Sequence, residues 1–305
     1  MSAAVPGQAP PAGIVPTLEE LVALRRAAVG RHPPRRARSG SAGIAPSPVR
    51  GRGMEYAESR EYSAGDDARH IDWRLTARTG RAHTKLYQAE RERLTLLVAD
   101  TSPLLYFGTR TRFKSVQAAR AGAVAAWAAL RDGDRVAALR GSVKEAPVVP
   151  PPGPHAALRV LDALRRWYTA PQEEDAGLGV ALDHADRLLR PGSRLLVLAD
   201  VGSVLALPEA RWPGLARHRE VVVLLLVDPI EYSPPKTQLP LLSGGRRVEL
   251  DLGSESVRTR WRQQLVAPVE MALQRLSRSG IHAQPLSSEA ASESWLGLFG
   301  AGGRR

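Results

Sequence analysis

Two carboxylates stand where folded chains tend to do chemistry. The apolar run 94–99 (LTLLVA) ends at Asp100, followed by Thr101 and Ser102. A second apolar run, 194–199 (RLLVLA), ends at Asp200. A carboxylate at the carboxyl end of a buried parallel strand faces the crevice where open α/β sheets bind ligands. Oxygen donors from Asp and Ser suit a hard cation such as Mg²⁺, which keeps several waters and needs few protein ligands. The competing reading is that each Asp caps the turn or helix after its strand. The residues alone leave both open.

The elements that would position these groups follow from periodicity. Short apolar runs at 94–99, 135–139, 194–199, 221–227 and 281–285 predict strands. Between them, Phe113, Val116, Arg120, Ala123, Val124, Trp127 and Leu130 recur at helical spacing, as do Leu158, Leu161, Leu164 and Trp167. Further helices are predicted at 180–189, 209–217 and 261–276, and residues 231–254 read as a loop with a small hairpin. Gly133-Asp134 and Pro191-Gly192 are turn signals entering two strands. Strands alternating with helices predict a doubly wound, mostly parallel α/β sheet covered on both faces. In such a sheet the strands ending at Asp100 and Asp200 are expected to be neighbours where strand order reverses.

Ahead of the first strand the chain is less regular. Residues 1–16 are rich in Pro, Ala and Gly and read as disordered. Thr17-x-x-Glu20 is a capping box opening a short helix whose apolar stripe is Leu18, Leu21, Val22 and Ala28. Residues 1–50 read as a basic arm, and the arginine cluster that runs along it and just beyond, Arg25, Arg26, Arg31, Arg35, Arg36, Arg38, Arg50 and Arg52, is opposed only by Glu19 and Glu20. Such an arm either docks on a partner or is solvated. No aromatic residues interleave with it as base-stacking platforms, which argues against nucleic acid. Residues 51–93 are expected to pack on the main domain at 94–290, and 291–305 to form a tail.

The chain has 305 residues, a formal net charge of +12 and no cysteine. Disulfides, thiolate metal sites and Cys nucleophiles are therefore excluded. The run Val221–Val227 is far short of the roughly 20 residues a membrane helix needs. The proline-broken N-terminus lacks the basic start of a signal peptide. Both lead to the expectation of a cytoplasmic protein without a membrane span. Phosphate loops, dinucleotide fingerprints and zinc-protease motifs are absent, and no Gly-x-Ser-x-Gly elbow supports Ser102 as a nucleophile.

One charged block remains. It runs Arg60-Glu61-Tyr62-Ser63-Ala64-Gly65-Asp66-Asp67-Ala68-Arg69-His70-Ile71-Asp72-Trp73 and continues through Ala77-Arg78. Asp66, Asp67 and Asp72 are expected to pair with Arg60, Arg69, Arg74 and Arg78 rather than form an acidic site, and Trp73 to anchor a core. Together with Lys85, Tyr87, Glu90-Arg91-Glu92, Phe113-Lys114-Ser115 and Gly133-Asp134-Arg135-Val136, this block resembles a bacterial family catalogued as domain of unknown function fifty-eight. The resemblance is continuous from about Gly51 to Leu139 and looser to about residue 285.

The resemblance implies a von Willebrand factor A-like domain and, as partner, an AAA+ ATPase of the MoxR type. It also implies a cation site built on Asp-x-Ser-x-Ser, a threonine and a last acidic residue. Asp100, Ser102 and Asp200 match three of those positions. Leu104 replaces the second Ser, and Ala176, in Asp175-Ala176-Gly177-Leu178, stands where the Thr belongs. The metal site is thus expected to be degenerate, with weak Mg²⁺ binding at most and no other cofactor. Three functions follow, in order. The first is a non-enzymatic adaptor; the second is a metal-dependent hydrolase using Asp100 and Asp200; the third is a nucleic-acid-binding protein acting through its Arg-rich arm.

Overall fold

A computed structural model of the chain describes residues 13–30, 54–89, 93–149, 154–243 and 246–299. Two compact units emerge, one of residues 35–92 and one of residues 1–34 with 93–305.

The larger unit is built on five parallel strands: β3 (Leu94–Ala99), β4 (Arg135–Arg140), β5 (Arg194–Ala199), β6 (Glu220–Val227) and β9 (His282–Ser287). Their order is β4-β3-β5-β6-β9. The chain runs from β3 out to β4, then returns to the other side of β3 to lay down β5, so strand order reverses between β3 and β5. The expected neighbours are therefore paired, with Thr95 to Ala99 against Arg194 to Leu198. β3 and β5 are buried on both faces, which is why they read as unbroken apolar runs.

Each face of the sheet carries its own apolar cluster. On one lie α4 (Lys114–Arg131) and α5 (Pro154–Trp167), and on the other α6 (Gly177–Leu188), α7 (Val201–Leu205), α8 (Arg211–Ala216) and α11 (Ala267–Arg278). The fold is α/β and Rossmann-like. The predicted helix at 261–276 begins earlier. It is α10 (Glu255–Trp261), a π-helical turn Arg262–Val266, then α11, with Pro268 in the first turn of α11 where a proline is tolerated. The hairpin expected within 231–254 is β7 (Gln238–Ser243) against β8 (Arg246–Asp251), after the one-turn α9 (Pro229–Tyr232).

Both ends of the larger unit differ from expectation. The described part of the arm belongs to the core. Thr17 caps α1 (Leu18–Ala23), α2 (Arg25–Gly30) follows, and Leu21 and Ala28 are fully buried against the α4 face. Trp127 Nε1 donates to Leu21 O at 3.0 Å, and Arg25 stacks over the same indole. Residues 13–16, expected to be disordered, are turn and extended backbone, and Gly13 O accepts from Phe113 N at 2.8 Å. Residues 291–299 are no tail: Trp295, Leu296 and Phe299 are buried, and the two rings meet edge to face at 4.7 Å. Three large apolar side chains in five residues give this segment enough area to bury to offset its ordering entropy.

The smaller unit holds an antiparallel pair, β1 (Met54–Glu61) and β2 (His83–Ala89), joined through a 3₁₀ turn Ala68–His70 and α3 (Trp73–Thr79). Among the described residues of both units, no helix is long and apolar enough to cross a membrane.

Candidate functional site

Asp100 and Asp200 meet at the carboxyl edge of the larger unit. Asp100 Oδ2 accepts from the backbone N of Asp200 at 2.9 Å, while its Oδ1 accepts from Ser102 N at 3.0 Å. Both carboxylates are buried. Burial is the main force on Asp100, whose carboxyl is pushed up to about 6 although hydrogen bonds from Ser203, Asp200 and Ser102 oppose the rise. Asp200 caps α7, its Oδ1 accepting from Gly202 N at 2.8 Å. The capping alternative thus holds for Asp200, and both Asp residues make the same turn onto the N–H two residues on.

The other oxygen of Asp200 faces Lys114. Lys114 Nζ lies 3.1 Å from Asp200 Oδ2 and 3.0 Å from Glu231 Oε1, and all three side chains are largely buried. Burial alone would lower the Lys114 pKa, but the two carboxylates outweigh it and hold the ammonium above its ordinary value. Glu231 is raised by burial, which Lys114 only partly offsets. Lys114 is the first residue of the 18-residue α4, where the helix dipole disfavours a cation. Its placement there is intelligible only through Asp200 and Glu231. The sequence offered two signals for Lys114, its place in the family-like run Phe113-Lys114-Ser115 and its being one of only four lysines among 43 basic residues.

A third strand ends the same way. Asp228 follows β6 and is fully buried. It accepts from Thr109 N at 3.0 Å, the Thr109 hydroxyl, Ile230 N at 3.1 Å and Ser288 Oγ at 2.8 Å. Burial works against its ionisation, yet these bonds prevail and hold its carboxyl below the usual range. Asp228 and Glu231 form a capping box on α9, so Asp228 ties the β3–α4 loop to β9 while Glu231 reaches Lys114.

The remaining predicted ligand positions are placed differently. Ser102 caps the 3₁₀ turn Pro103–Leu105. Leu104 stands 61% exposed. Ala176 is the N-cap of α6 and its N donates to Gly141 O, at the end of β4, at 2.7 Å. A Cβ on Gly141 would fall 2.2 Å from Gly177 O, so glycine is needed where these backbones cross. Among the described residues, no three His, Cys, Asp or Glu side chains group so as to hold a metal ion. Around this edge, Leu104, Phe107, Val143 and Tyr232 are exposed apolar side chains that follow β3, β4 and β6.

In the smaller unit the signature residues form a framework of caps more than a salt-bridge lattice. Arg60 pairs with Asp66 at 2.6 Å and Arg81 with Glu61 at 2.9 Å. Asp67 accepts from Arg69 N, Asp72 accepts from Leu75 N and Ser59 Oγ, and Tyr62 donates to Asp66 O. Gly65 adopts a φ of 108° in the turn between them. Ile71 makes a bridge to Thr84. Trp73, expected as a core anchor, is instead 70% exposed. Capping by Asp72 makes Trp73 the first residue of α3, on the exposed side of that helix with Arg74, Ala77 and Arg78. Of the basic arm, Arg31, Arg35, Arg36, Arg38, Arg50 and Arg52 lie outside the described residues.

Comparison with known proteins agrees with the sequence. Uncharacterised proteins of Mycobacterium bovis and of two strains of Mycobacterium tuberculosis are 31% identical over 198 residues. That match takes in 63% of this chain and 60% of each relative, so the chain spans about three-fifths of their length. Residues 58–268 match the family described as protein of unknown function DUF58, and the chain belongs to that family.

Proposed function

We propose that this chain is a non-enzymatic protein-binding adaptor with a von Willebrand A-like fold and a degenerate metal site. It presents the carboxyl edge of its sheet to a protein partner. The partner class is the one the family resemblance implies, a MoxR-type AAA+ ATPase acting in assembly or maturation of other proteins. The cytoplasm is the compartment this partner requires.

The observation that carries the proposal is the Lys114 ammonium, seated 3.1 Å from Asp200 and 3.0 Å from Glu231. The donor set does not fit a divalent cation. Both Asp100 oxygens accept backbone N–H groups, one Asp200 oxygen caps α7 and the other faces Lys114. Leu104 and Ala176 offer no oxygen from their side chains. The exposed apolar residues around this edge supply contact area instead. The test mixes the purified chain with the MoxR-type ATPase of the same genome and measures binding by calorimetry, with and without EDTA. Binding that EDTA leaves intact, and that Leu104→Glu or Val143→Glu weakens at least tenfold, is expected. Absence of binding overturns the ATPase assignment.

One observation favours the hydrolase. A carboxyl near 6 suits proton transfer at neutral pH. Titration with Mg²⁺ and Mn²⁺ separates the two proposals: a tight site abolished by Asp200→Asn supports the hydrolase and removes the adaptor's premise.

A further inference from the structure

The signature helix α3 presents a face that is exposed among the described residues of its own unit. Trp73 and Ala77, four residues apart, form one row on its surface, and Arg74 and Arg78 form the next. All four are exposed, and Trp73 is the most exposed aromatic among the described residues. Ala77 is small, so the indole stands clear of the helix. Among the described residues, Asp66 is committed to Arg60, Glu61 to Arg81, Asp67 to Arg69 N, and Asp72 to Leu75 N and Ser59 Oγ. Arg74 and Arg78 have no ion pair among the described residues.

The face is also rigid. Asp72 caps the start of α3, Gly80 closes its end with a φ of 73°, and Thr76 Oγ1 accepts from His83 N of β2 at 3.0 Å. An exposed indole on a capped helix, beside two guanidiniums without an ion pair among the described residues, is the composition of an interface centre, where Trp and Arg contribute most of the binding energy.

We infer that the Trp73–Ala77 and Arg74–Arg78 rows are a docking surface for a protein that offers an apolar pocket rimmed by carboxylates. Charge complementarity sets the rim and the indole sets the pocket. Nucleic acid suits the face less well. Residues 54–89 hold six acidic and six basic side chains, so the segment that carries α3 supplies no net positive field of the kind phosphate binding uses. This surface belongs to the smaller unit and the carboxyl edge to the larger, and each is tested by its own variants.

The test pans a random peptide display library on the immobilised full chain and measures enriched peptides by fluorescence anisotropy. Peptides combining Asp or Glu with Leu, Phe or Trp are expected. Their affinity should fall at least tenfold for Trp73→Ala and for Arg74→Glu/Arg78→Glu, with melting temperature unchanged because these side chains are exposed. The charge-reversed variant should in turn prefer Lys- and Arg-bearing peptides, a change that a structural role would not produce. A library yielding no Trp73-dependent binder overturns the inference. So does an oligothymidylate probe that binds with the same losses while peptides do not.

Discussion

Replacing Lys114 by Met tests the carboxyl edge most directly. Methionine keeps most of the stem volume, so the change removes charge with little loss of packing. It leaves Asp200 and Glu231 buried without their shared cation, at 7% and 12% side-chain exposure. Removing one partner of a buried ion pair costs about 3–5 kcal/mol. Protonation limits that loss. Neutralising a carboxyl of ordinary pKa at pH 7 costs about 3.7 kcal/mol, and less for Glu231, whose pKa burial already raises. The expected penalty at pH 7 is therefore about 3 kcal/mol, or a melting temperature lower by roughly 10 °C. It should shrink as pH falls towards 4, because the orphaned carboxylates then take up protons. In the parent chain the sign is opposite at the alkaline end. The Lys114 pKa is raised on folding, so its contribution is complete below its unfolded pKa and is lost as pH rises through its folded value. Paired thermal melts of parent and variant from pH 4 to 10 read the acid limb and should show no alkaline loss, which sets in only above that range. A penalty under about 1 kcal/mol, or one that stays flat between pH 4 and 7, would refute the claim that Lys114 is the counter-ion of this crevice.

Asp100 has a folded pKa of about 6, above its unfolded value, so its contribution is complete below about pH 4 and is lost as pH rises through 6, by roughly 3 kcal/mol. Asp100→Asn should flatten that slope in a pH series of melts. It should also destabilise by about 1–3 kcal/mol at pH 5, because an amide cannot accept from both Ser102 N and Asp200 N. Asp228→Ala strips the acceptor from four hydrogen bonds and should cost roughly 3–5 kcal/mol by urea denaturation. Leu21→Ala should cost about 2–5 kcal/mol and alter Trp127 fluorescence, which a freely solvated arm would not do.

The parallel sheet was legible because burial on both faces leaves only apolar residues in β3, β5 and β6, and each run stops at an Asp. The adjacency of Asp100 and Asp200 followed from the same runs through the switch-point rule. What escaped was decided by long-range pairing. Lys114 lies 86 residues from Asp200 and 117 from Glu231, so no local pattern announces the triad. The burial of α1 involves Trp127, 106 residues away from Leu21, a pairing that the local stripe cannot announce. Trp73 was misjudged for the converse reason. Residue type predicts burial on average, but Trp73 falls on the exposed face of α3 with Arg74, Ala77 and Arg78, where the average does not apply.

The three strand-ending aspartates give the carboxyl edge a single logic. Asp100, Asp200 and Asp228 each turn one oxygen onto the backbone N–H two residues later, at 3.0, 2.8 and 3.1 Å. Each then spends its second oxygen differently. Asp100 reaches the Asp200 backbone, Asp200 faces Lys114, and Asp228 binds Thr109 and Ser288. The shared turn is thus structural, and only the second oxygen is available to distinguish one strand end from another. At Asp200 that oxygen meets a cation carried on α4. An ammonium on a covalent stem remains in place whatever the concentration of Mg²⁺, because its local concentration is fixed by the fold. A bound divalent ion would instead stabilise the folded state in proportion to the logarithm of its concentration. Melting of the parent chain at millimolar Mg²⁺ and in EDTA should therefore coincide within about 1 °C. A rise of several degrees with Mg²⁺, lost in Asp200→Asn, would place the metal rather than the lysine at the centre of this edge.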